Sequence, residues 1–112
     1  MWWPGSTRSI PPSPRTELNE RFVERVLARV EQIPPGRVLT YGLIAQELGE
    51  GGPRQVGQVM SRVGHVVCWW RVVRADGTLP AHLMLEAQEH WAREGTPVRR
   101  GRVDVGRAVS GV

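Results

Sequence analysis

Proline and glycine cut this chain into short pieces, and that punctuation limits it to short helices joined by turns. Pro34, Pro35 and Gly36 interrupt the first apolar stretch, and the run 49–53 interrupts the second. The sequence holds 13 Gly and 9 Pro, and because it has only 112 residues, one small domain is the most that the chain can form. No apolar run approaches the roughly 18 residues of a membrane span. We therefore expect no membrane association.

Two segments show the apolar spacing of amphipathic helices. The first covers residues 16–32, with Thr16 as a candidate cap and apolar residues at helical intervals. The second covers residues 41–48, follows the cap candidate Thr40 and ends at Gly49. Together with the short apolar segments further along the chain, these patterns predict a mainly α fold with a short β element.

A third helix over residues 54–62, behind Pro53, completes a pair of short helices joined by a Gly-rich turn. A helix-turn-helix motif requires this arrangement. Gly57 lies in mid-helix, where Gly costs about 1 kcal/mol relative to Ala, so it leaves room either for a nucleic-acid backbone or for close helix packing. The outward face carries polar residues that could contact DNA: Arg54, Gln55, Gln58, Ser61 and Arg62.

The charge of the chain favours an anionic partner. All 15 basic residues are arginine, against 11 acidic residues, for a net charge of +4. Residues 51–74 contain four arginines and no acid. Arginine suits bidentate contacts with phosphates and base edges, although a GC-rich coding bias explains the absence of lysine equally well.

The rest of the chain supplies domain limits and chemical exclusions. We expect a flexible arm over residues 1–15, a domain over 16–105 and a frayed tail over 106–112. The arm lacks the apolar core and cleavage site of a secretory signal. A single cysteine, Cys68, and three histidines without zinc-site spacing lead us to expect no disulfide, metal or cofactor. A cytoplasmic monomer is the expectation, nucleoid-associated if bacterial.

Two adjacent tryptophans, Trp69 and Trp70, stand in an apolar segment after the third helix. Neighbouring side chains point in different directions on a regular backbone, so at most one should be ordinary core and the other could line a pocket. Residues 79–93 are predicted to pass from irregular chain into a short helix. Residues 102–105 are predicted to form a terminal strand or hook.

Two motifs and one replacement suggest a family. Residues 33–42 read Ile-Pro-Pro-Gly-Arg-Val-Leu-Thr-Tyr-Gly, and residues 53–60 read Pro-Arg-Gln-Val-Gly-Gln-Val-Met. Both resemble the DNA-binding domain of O6-alkylguanine-DNA alkyltransferases, and more closely the non-enzymatic alkyltransferase-like proteins. The transferase active site reads Pro-Cys-His-Arg-Val. Aligning it on residues 71–73 puts Trp69 on the nucleophile and Trp70 on the proton-relay histidine, and a Trp at the Cys position is typical of the alkyltransferase-like group.

The resemblance implies a winged-helix-like domain that recognises O6-alkylguanine in duplex DNA without catalysis, binding the minor groove and flipping the base. The bound complex would mark the lesion for nucleotide excision repair proteins. Arg54 would fill the space of the extruded base, Tyr41 would rotate the 3′ phosphate, and Gly42 would leave room for the backbone. The alkylguanine pocket would be lined by Trp69, Val72, His82, Tyr41 and the segment 77–83. The DNA contacts would be Arg54, Tyr41, Gly42, Gln55, Gln58, Gly57, Ser61, Arg62 and Thr40.

Two other functions stay open at this point. An active methylated-DNA-protein-cysteine methyltransferase would use Cys68, but no histidine adjoins it to act as a base. A helix-turn-helix regulator would read a defined sequence, as a dimer, and be indifferent to alkylation.

Overall fold

The computed structural model describes residues 19–111, which form a mainly helical domain with two short ladders. The predicted fold class, mainly α with a short β element, is confirmed. The elements in chain order are α1 (Glu20–Glu31), β1 (Leu39–Thr40), α2 (Tyr41–Leu48), α3 (Pro53–Val63), two 3-10 turns (Gly64–Val66 and Trp69–Arg71), β2 (Val72–Val73), α4 (Ala81–Glu94), β3 (Val98–Arg99), β4 (Arg102–Val103) and α5 (Val105–Ala108).

Helix α1 begins at Glu20, later than predicted, because Asn19 caps it. The Asn19 side chain accepts hydrogen bonds from the backbone N–H groups of Arg21 (2.8 Å) and Phe22 (3.3 Å), which satisfies two N–H groups that lack partners within the helix. Thr16, the predicted cap, lies outside the described residues. The apolar stripe of α1 is buried as its spacing predicts.

Helices α2 and α3 form the predicted helix-turn-helix. The Thr40 hydroxyl accepts a hydrogen bond from the Leu43 N–H at 3.1 Å and caps α2. Gly49 ends α2 at a φ of 72°, a left-handed conformation that glycine adopts without strain. Val56 and Val59 of α3 are fully buried against α1 and α2. The two short helices are therefore fixed to each other and to α1 by one apolar core.

The parallel pair β1–β2 divides this core from a second one. Leu39 pairs with Val72 and Thr40 with Val73. Because successive strand residues point to opposite faces, Val72 joins the core of α1, α2 and α3 whereas Val73 joins Trp91 in the second core. The helix-turn-helix and the C-terminal half thus share one strand pair.

Helix α4 is longer than predicted and begins directly after Pro80. Proline tolerates a helix start, and the apolar face of α4 buries Ala87 and Trp91 in the second core. The Trp91 indole N–H donates to the backbone oxygen of Trp70 at 2.7 Å. These tertiary contacts keep residues 81–94 helical, where the local pattern predicted irregular chain followed by a short helix.

The prediction of a frayed tail over residues 106–112 is wrong for residues 106–111, the part that the structure describes. Helix α5 buries Ala108 completely, Val109 forms a β-bridge with Val38, and the Ser110 N–H donates to the Val38 oxygen at 2.8 Å. Pairing with Val38, more than 70 residues earlier in the chain, orders this segment. The predicted arm, residues 1–15, lies outside the described residues. Among residues 19–111, no helix is long and apolar enough to cross a membrane.

Candidate nucleic-acid interface

One pocket of about 210 Å³ opens where the helix-turn-helix meets the tryptophan turn and the start of α4. Leu79 and Pro80, which come directly before α4, also line it. Three of the four residues predicted from the resemblance, Tyr41, Trp69 and His82, line this pocket. The complete lining is Tyr41, Gly57, Met60, Ser61, His65, Trp69, Leu79, Pro80, His82 and Leu83.

Trp69 and Trp70 diverge, as their adjacency predicts. Their ring centroids lie 5.6 Å apart with an angle of 85° between the planes. Trp69 faces the pocket, whereas Trp70 stacks on His90 of α4 with centroids 3.6 Å apart. The Trp69 ring is therefore available to a bound ligand, and the Trp70 ring supports Trp69 from behind.

An ion pair fixes the turn that carries both tryptophans. The Arg71 guanidinium donates to Glu94 of α4 (Nε to Oε1, 3.1 Å) and to the Ile33 backbone oxygen (Nη1, 2.9 Å). Burial raises the pKa of Glu94, but the hydrogen bonds and positive charge of Arg71 and the hydrogen bond from the Gly36 N–H lower it by more, so the net pKa lies below its ordinary value. The carboxylate is therefore charged at neutral pH and ties the turn to α4.

Gly57 of α3 faces open pocket. A Cβ atom built on Gly57 meets no heavy atom within 4 Å, and the residue lines the pocket. Close helix packing, one of the two explanations of this mid-helix glycine, therefore does not apply. The remaining explanation is room for a ligand at the helix surface.

Tyr41 stands at the first position of α2, against both cores. Burial raises the pKa of its phenol, and the nearby Arg74 charge offsets part of that rise. The hydroxyl therefore keeps its proton at physiological pH and can donate a hydrogen bond to a phosphate.

The outer face of α3 presents four of the nine predicted DNA-contact residues to solvent. Arg54, Gln58, Ser61 and Arg62 are exposed, and Gly42 is half-buried at the start of α2. Two other predicted contacts are engaged in capping. The Gln55 side chain accepts a hydrogen bond from the Gly52 N–H at 2.9 Å, and Thr40 caps α2. The exposed members form a polar surface beside the pocket.

Val72 does not line the pocket, contrary to the prediction. It is fully buried in the core beneath the helix-turn-helix, because strand pairing with Leu39 turns its side chain inward. Gly77, the first residue of the predicted lining segment 77–83, also lies elsewhere. A Cβ there would stand 2.1 Å from the backbone oxygen of Val103.

Met60 and His65 line the pocket although neither was predicted to. Helical spacing could have found Met60, since positions i and i+3 share a face and Gly57 was already singled out. His65 lies in the 3-10 turn after α3. No local sequence signal places a turn residue of that kind.

Cys68 is half-buried beside Trp69 and is not among the residues that line the pocket. Within the part of the chain that the structure describes, no group of three His, Cys, Asp or Glu side chains could hold a metal ion. The pocket lining is thus largely aromatic and aliphatic, with Ser61 and two histidines as its other polar members.

The comparison with known families decides the classification. The sequence model of the 6-O-methylguanine DNA methyltransferase, DNA-binding domain, matches residues 21–96. The chain belongs to this family. Within the family it is an alkyltransferase-like protein, because the relatives it resembles in sequence and structure are of that kind.

The relatives of this alkyltransferase-like protein include two named DNA base-flipping protein. The one from Escherichia coli (strain K12) is 36% identical over 80 residues, which cover 69% of this chain and 62% of the relative. The one from Vibrio parahaemolyticus is 35% identical over 63 residues, which cover 54% of this chain and 63% of the relative. The chain thus matches less than two thirds of the length of these relatives.

Two solved structures share the fold of the alkyltransferase-like protein. One is S. pombe Atl1 in complex with damaged DNA containing O6-carboxymethylguanine, with a TM-score of 0.74 and 25% identity. The other is S. pombe ATL in complex with DNA, with a TM-score of 0.71 and 25% identity. Both cover 86% of this chain and 100% of the matched chain.

Proposed function

We propose that this protein recognises O6-alkylguanine in duplex DNA by flipping the base into the pocket and holding it there without transferring the alkyl group. The observation that carries the proposal is the position of Trp69. Trp69 forms an aromatic wall of an open pocket. In the alignment with the transferase active site, the same residue stands at the position of the nucleophilic cysteine. The names of the relatives, and the damaged DNA bound to S. pombe Atl1, support the same function.

Binding begins with phosphate contacts from the exposed face of α3. Arg54 enters the base stack and fills the space of the extruded nucleotide, because a planar cation can stack and donate hydrogen bonds together. Tyr41 directs its neutral hydroxyl at the phosphate beside the lesion. Gly57 lets the DNA backbone approach α3 in the minor groove.

Selectivity arises from the energetics of flipping. An alkyl group on O6 weakens pairing, which lowers the cost of extruding the base. Stacking of the flipped base on Trp69 stabilises the extruded state by about 1 to 3 kcal/mol. His82, an exposed residue that lines the pocket, contributes a second planar group. The weakened pairing therefore favours the modified base over guanine, and the stacking holds the base once it is extruded.

The absence of transfer follows from the pocket chemistry. An acceptor needs a thiolate produced by a neighbouring base, and no cysteine is among the pocket residues described. A stable complex with distorted DNA is then the product. We propose that it marks the lesion for nucleotide excision repair proteins, and that the protein works as a cytoplasmic monomer, at the nucleoid if the source is bacterial.

A paired assay tests the proposal. A duplex with one O6-methylguanine and its unmodified twin are compared for affinity at fixed salt, and the protein is then weighed by mass spectrometry. Tighter binding to the modified duplex with no methyl mass gain supports a non-catalytic lesion sensor. A mass gain on Cys68 would instead make the protein a methyltransferase.

Equal affinity for both duplexes would reject lesion recognition. Preference for one unmodified sequence, in a selection from random duplexes, would then identify a helix-turn-helix regulator.

A further inference from the structure

A hairpin far along the chain from the helix-turn-helix concentrates arginines at its tip. Strands β3 and β4 pair antiparallel, with Arg99 directly opposite Arg102. Arg100 and Gly101 form the two-residue turn between them. We call residues 98–103 the arginine hairpin. Its three arginines are all exposed.

The arginine hairpin is locally unfavourable. Like charges directly opposite each other on paired strands destabilise a sheet. Arg100 adopts a φ of 56° and Gly101 a φ of 80°, as a tight hairpin turn requires, and Asn or Asp usually occupies the first of these positions. An arginine in this left-handed conformation is strained, because its Cβ crowds the backbone. The charge repulsion and the backbone strain both accompany the exposure of three cations at the hairpin tip.

The structure holds the arginine hairpin rigidly. The Gln88 side chain of α4 donates to the Gly101 oxygen at 2.7 Å. The Asp104 N–H donates to the Pro97 oxygen at 2.9 Å and closes the base. Val103 is 3% exposed and donates its N–H to the Gly77 oxygen at 3.0 Å. The three guanidinium groups are therefore mounted on a fixed base.

Within residues 19–111, no salt bridge involves these three arginines. They border a concavity of about 420 Å³ that also contains Asp76 and Asp104. Asp76 already accepts hydrogen bonds from the Thr78 N–H (3.1 Å) and hydroxyl (2.6 Å). Three guanidinium groups against two carboxylates leave a net positive charge around this concavity.

The arginine hairpin lies near the lesion pocket. Asp76 borders the concavity, and Pro80 lines the pocket. Four peptide units join them, so their Cα atoms are at most about 15 Å apart. The Arg74 charge acts on both the pocket and the concavity. It offsets part of the rise in the pKa of Tyr41, which lines the pocket, and it lowers the pKa of Asp76, which borders the concavity. A duplex in the pocket, with one charge per roughly 1.7 Å of its axis, extends well beyond this separation.

From these observations we propose that the arginine hairpin is a second DNA contact, in which Arg99, Arg100 and Arg102 bind backbone phosphates flanking the lesion. The inference rests on the proposed function, because it needs duplex DNA in the pocket. Phosphate contacts of this kind add affinity without reading sequence or the alkyl group.

The salt dependence of binding tests the proposal. The double variant Arg99→Gln with Arg102→Gln is compared with a control of equal net charge, Arg21→Gln with Arg37→Gln, on modified and unmodified duplexes. Each lost phosphate contact lowers the slope of log affinity against log salt by about 0.9. The hairpin variant should lose up to about 2 from this slope on both duplexes and keep its preference for the lesion, while the control keeps the wild-type slope.

Shortening the duplex on each side of the lesion in turn adds a second readout. Removing the flank that reaches the hairpin should lower the wild-type slope and leave the slope of the hairpin variant unchanged. Equal slope losses in the hairpin and control variants would reduce the effect to net charge and overturn the proposal. A wild-type slope in the hairpin variant would also overturn the proposal. An acidic protein would then be the alternative partner of these arginines.

The measurements on the wild-type protein distinguish failure of this proposal from failure of the proposed function. If the wild type prefers the modified duplex and the hairpin variant matches it at every salt concentration, only the second contact is rejected. If the wild type binds neither duplex, both proposals are rejected together.

Discussion

The Trp70 indole lies flat on the His90 imidazole, with centroids 3.6 Å apart and the planes 5° from parallel. Trp69 meets both rings edge to face, at 5.6 Å from Trp70 and 5.8 Å from His90. The wall of the pocket is therefore braced by two rings from different elements. Because α4 supplies His90, the position of that wall depends on how α4 packs.

We predict that His90→Ala loosens Trp69 and weakens lesion discrimination. Losing a stacked partner should lower the free energy of unfolding by about 1 kcal/mol and reduce the preference for modified DNA several-fold. Denaturant unfolding and paired binding assays measure the two effects. His90→Phe keeps a flat ring and should retain most of the preference, and an unchanged preference in His90→Ala would show that the stack does not position Trp69.

The Arg71–Glu94 ion pair predicts a loss of stability in acid. The folded-state pKa of Glu94 lies below its ordinary value of 4.5, so its stabilising effect is complete above that value and disappears as pH falls through the folded pKa. Glu94→Gln should lower the free energy of unfolding at pH 7 by about 2 kcal/mol, the scale of a charged hydrogen bond.

Unfolding curves of wild type and Glu94→Gln between pH 3 and pH 7 measure this effect. The difference between the two proteins should shrink as the pH falls below about 4.5. A difference that stays constant over this range would show that the carboxylate charge is not what holds the tryptophan turn.

Gly57→Ala should separate stability from binding. Alanine is favoured over glycine in a helix by about 1 kcal/mol, and nothing lies within 4 Å of the new methyl group, so the melting temperature should rise. If the DNA backbone approaches α3 here, affinity for both duplexes should fall. A more stable variant with unchanged affinity would place the DNA elsewhere.

Arg54 and Arg62 are both exposed on α3, but replacing each with alanine should affect DNA binding in a different way. Arg54→Ala should lose preference for the modified duplex by more than it loses general affinity, because its role is to fill the vacated stack. Arg62→Ala should weaken both duplexes alike and lower the salt slope by about 1, as loss of a phosphate contact does. Equal losses on both duplexes in Arg54→Ala would reduce it to a phosphate contact.

Local signals in the sequence were enough for the helix-turn-helix but not for the elements that close the fold. Thr40 and Gly49 mark the ends of α2 because capping depends on neighbouring residues. The ordering of Ser110 depends on Val38, and the burial of Val72 depends on pairing with Leu39. Parallel pairing over such distances leaves no pattern in either segment, so the pocket assignment of Val72 and the tail assignment of 106–111 were wrong.

Trp69→Cys should not turn the protein into a methyltransferase. The new thiol would face the pocket, but an unperturbed thiol has a pKa of about 8.5 and is mostly protonated at neutral pH. The residue at the proton-relay position is Trp70, which is engaged with His90 and cannot take a proton. The variant also loses the stacking surface for the flipped base. We therefore expect weaker lesion binding and no methyl mass gain after incubation with an O6-methylguanine duplex.

Adding Trp70→His to Trp69→Cys supplies a base next to the thiol and is the matched comparison. Its incubation at the same pH and DNA concentration, followed by mass spectrometry, separates two causes of inactivity. A methyl gain only in the double variant would show that the missing base alone blocks transfer. A gain in Trp69→Cys itself would contradict the prediction, because the pocket would then activate a thiol without that histidine.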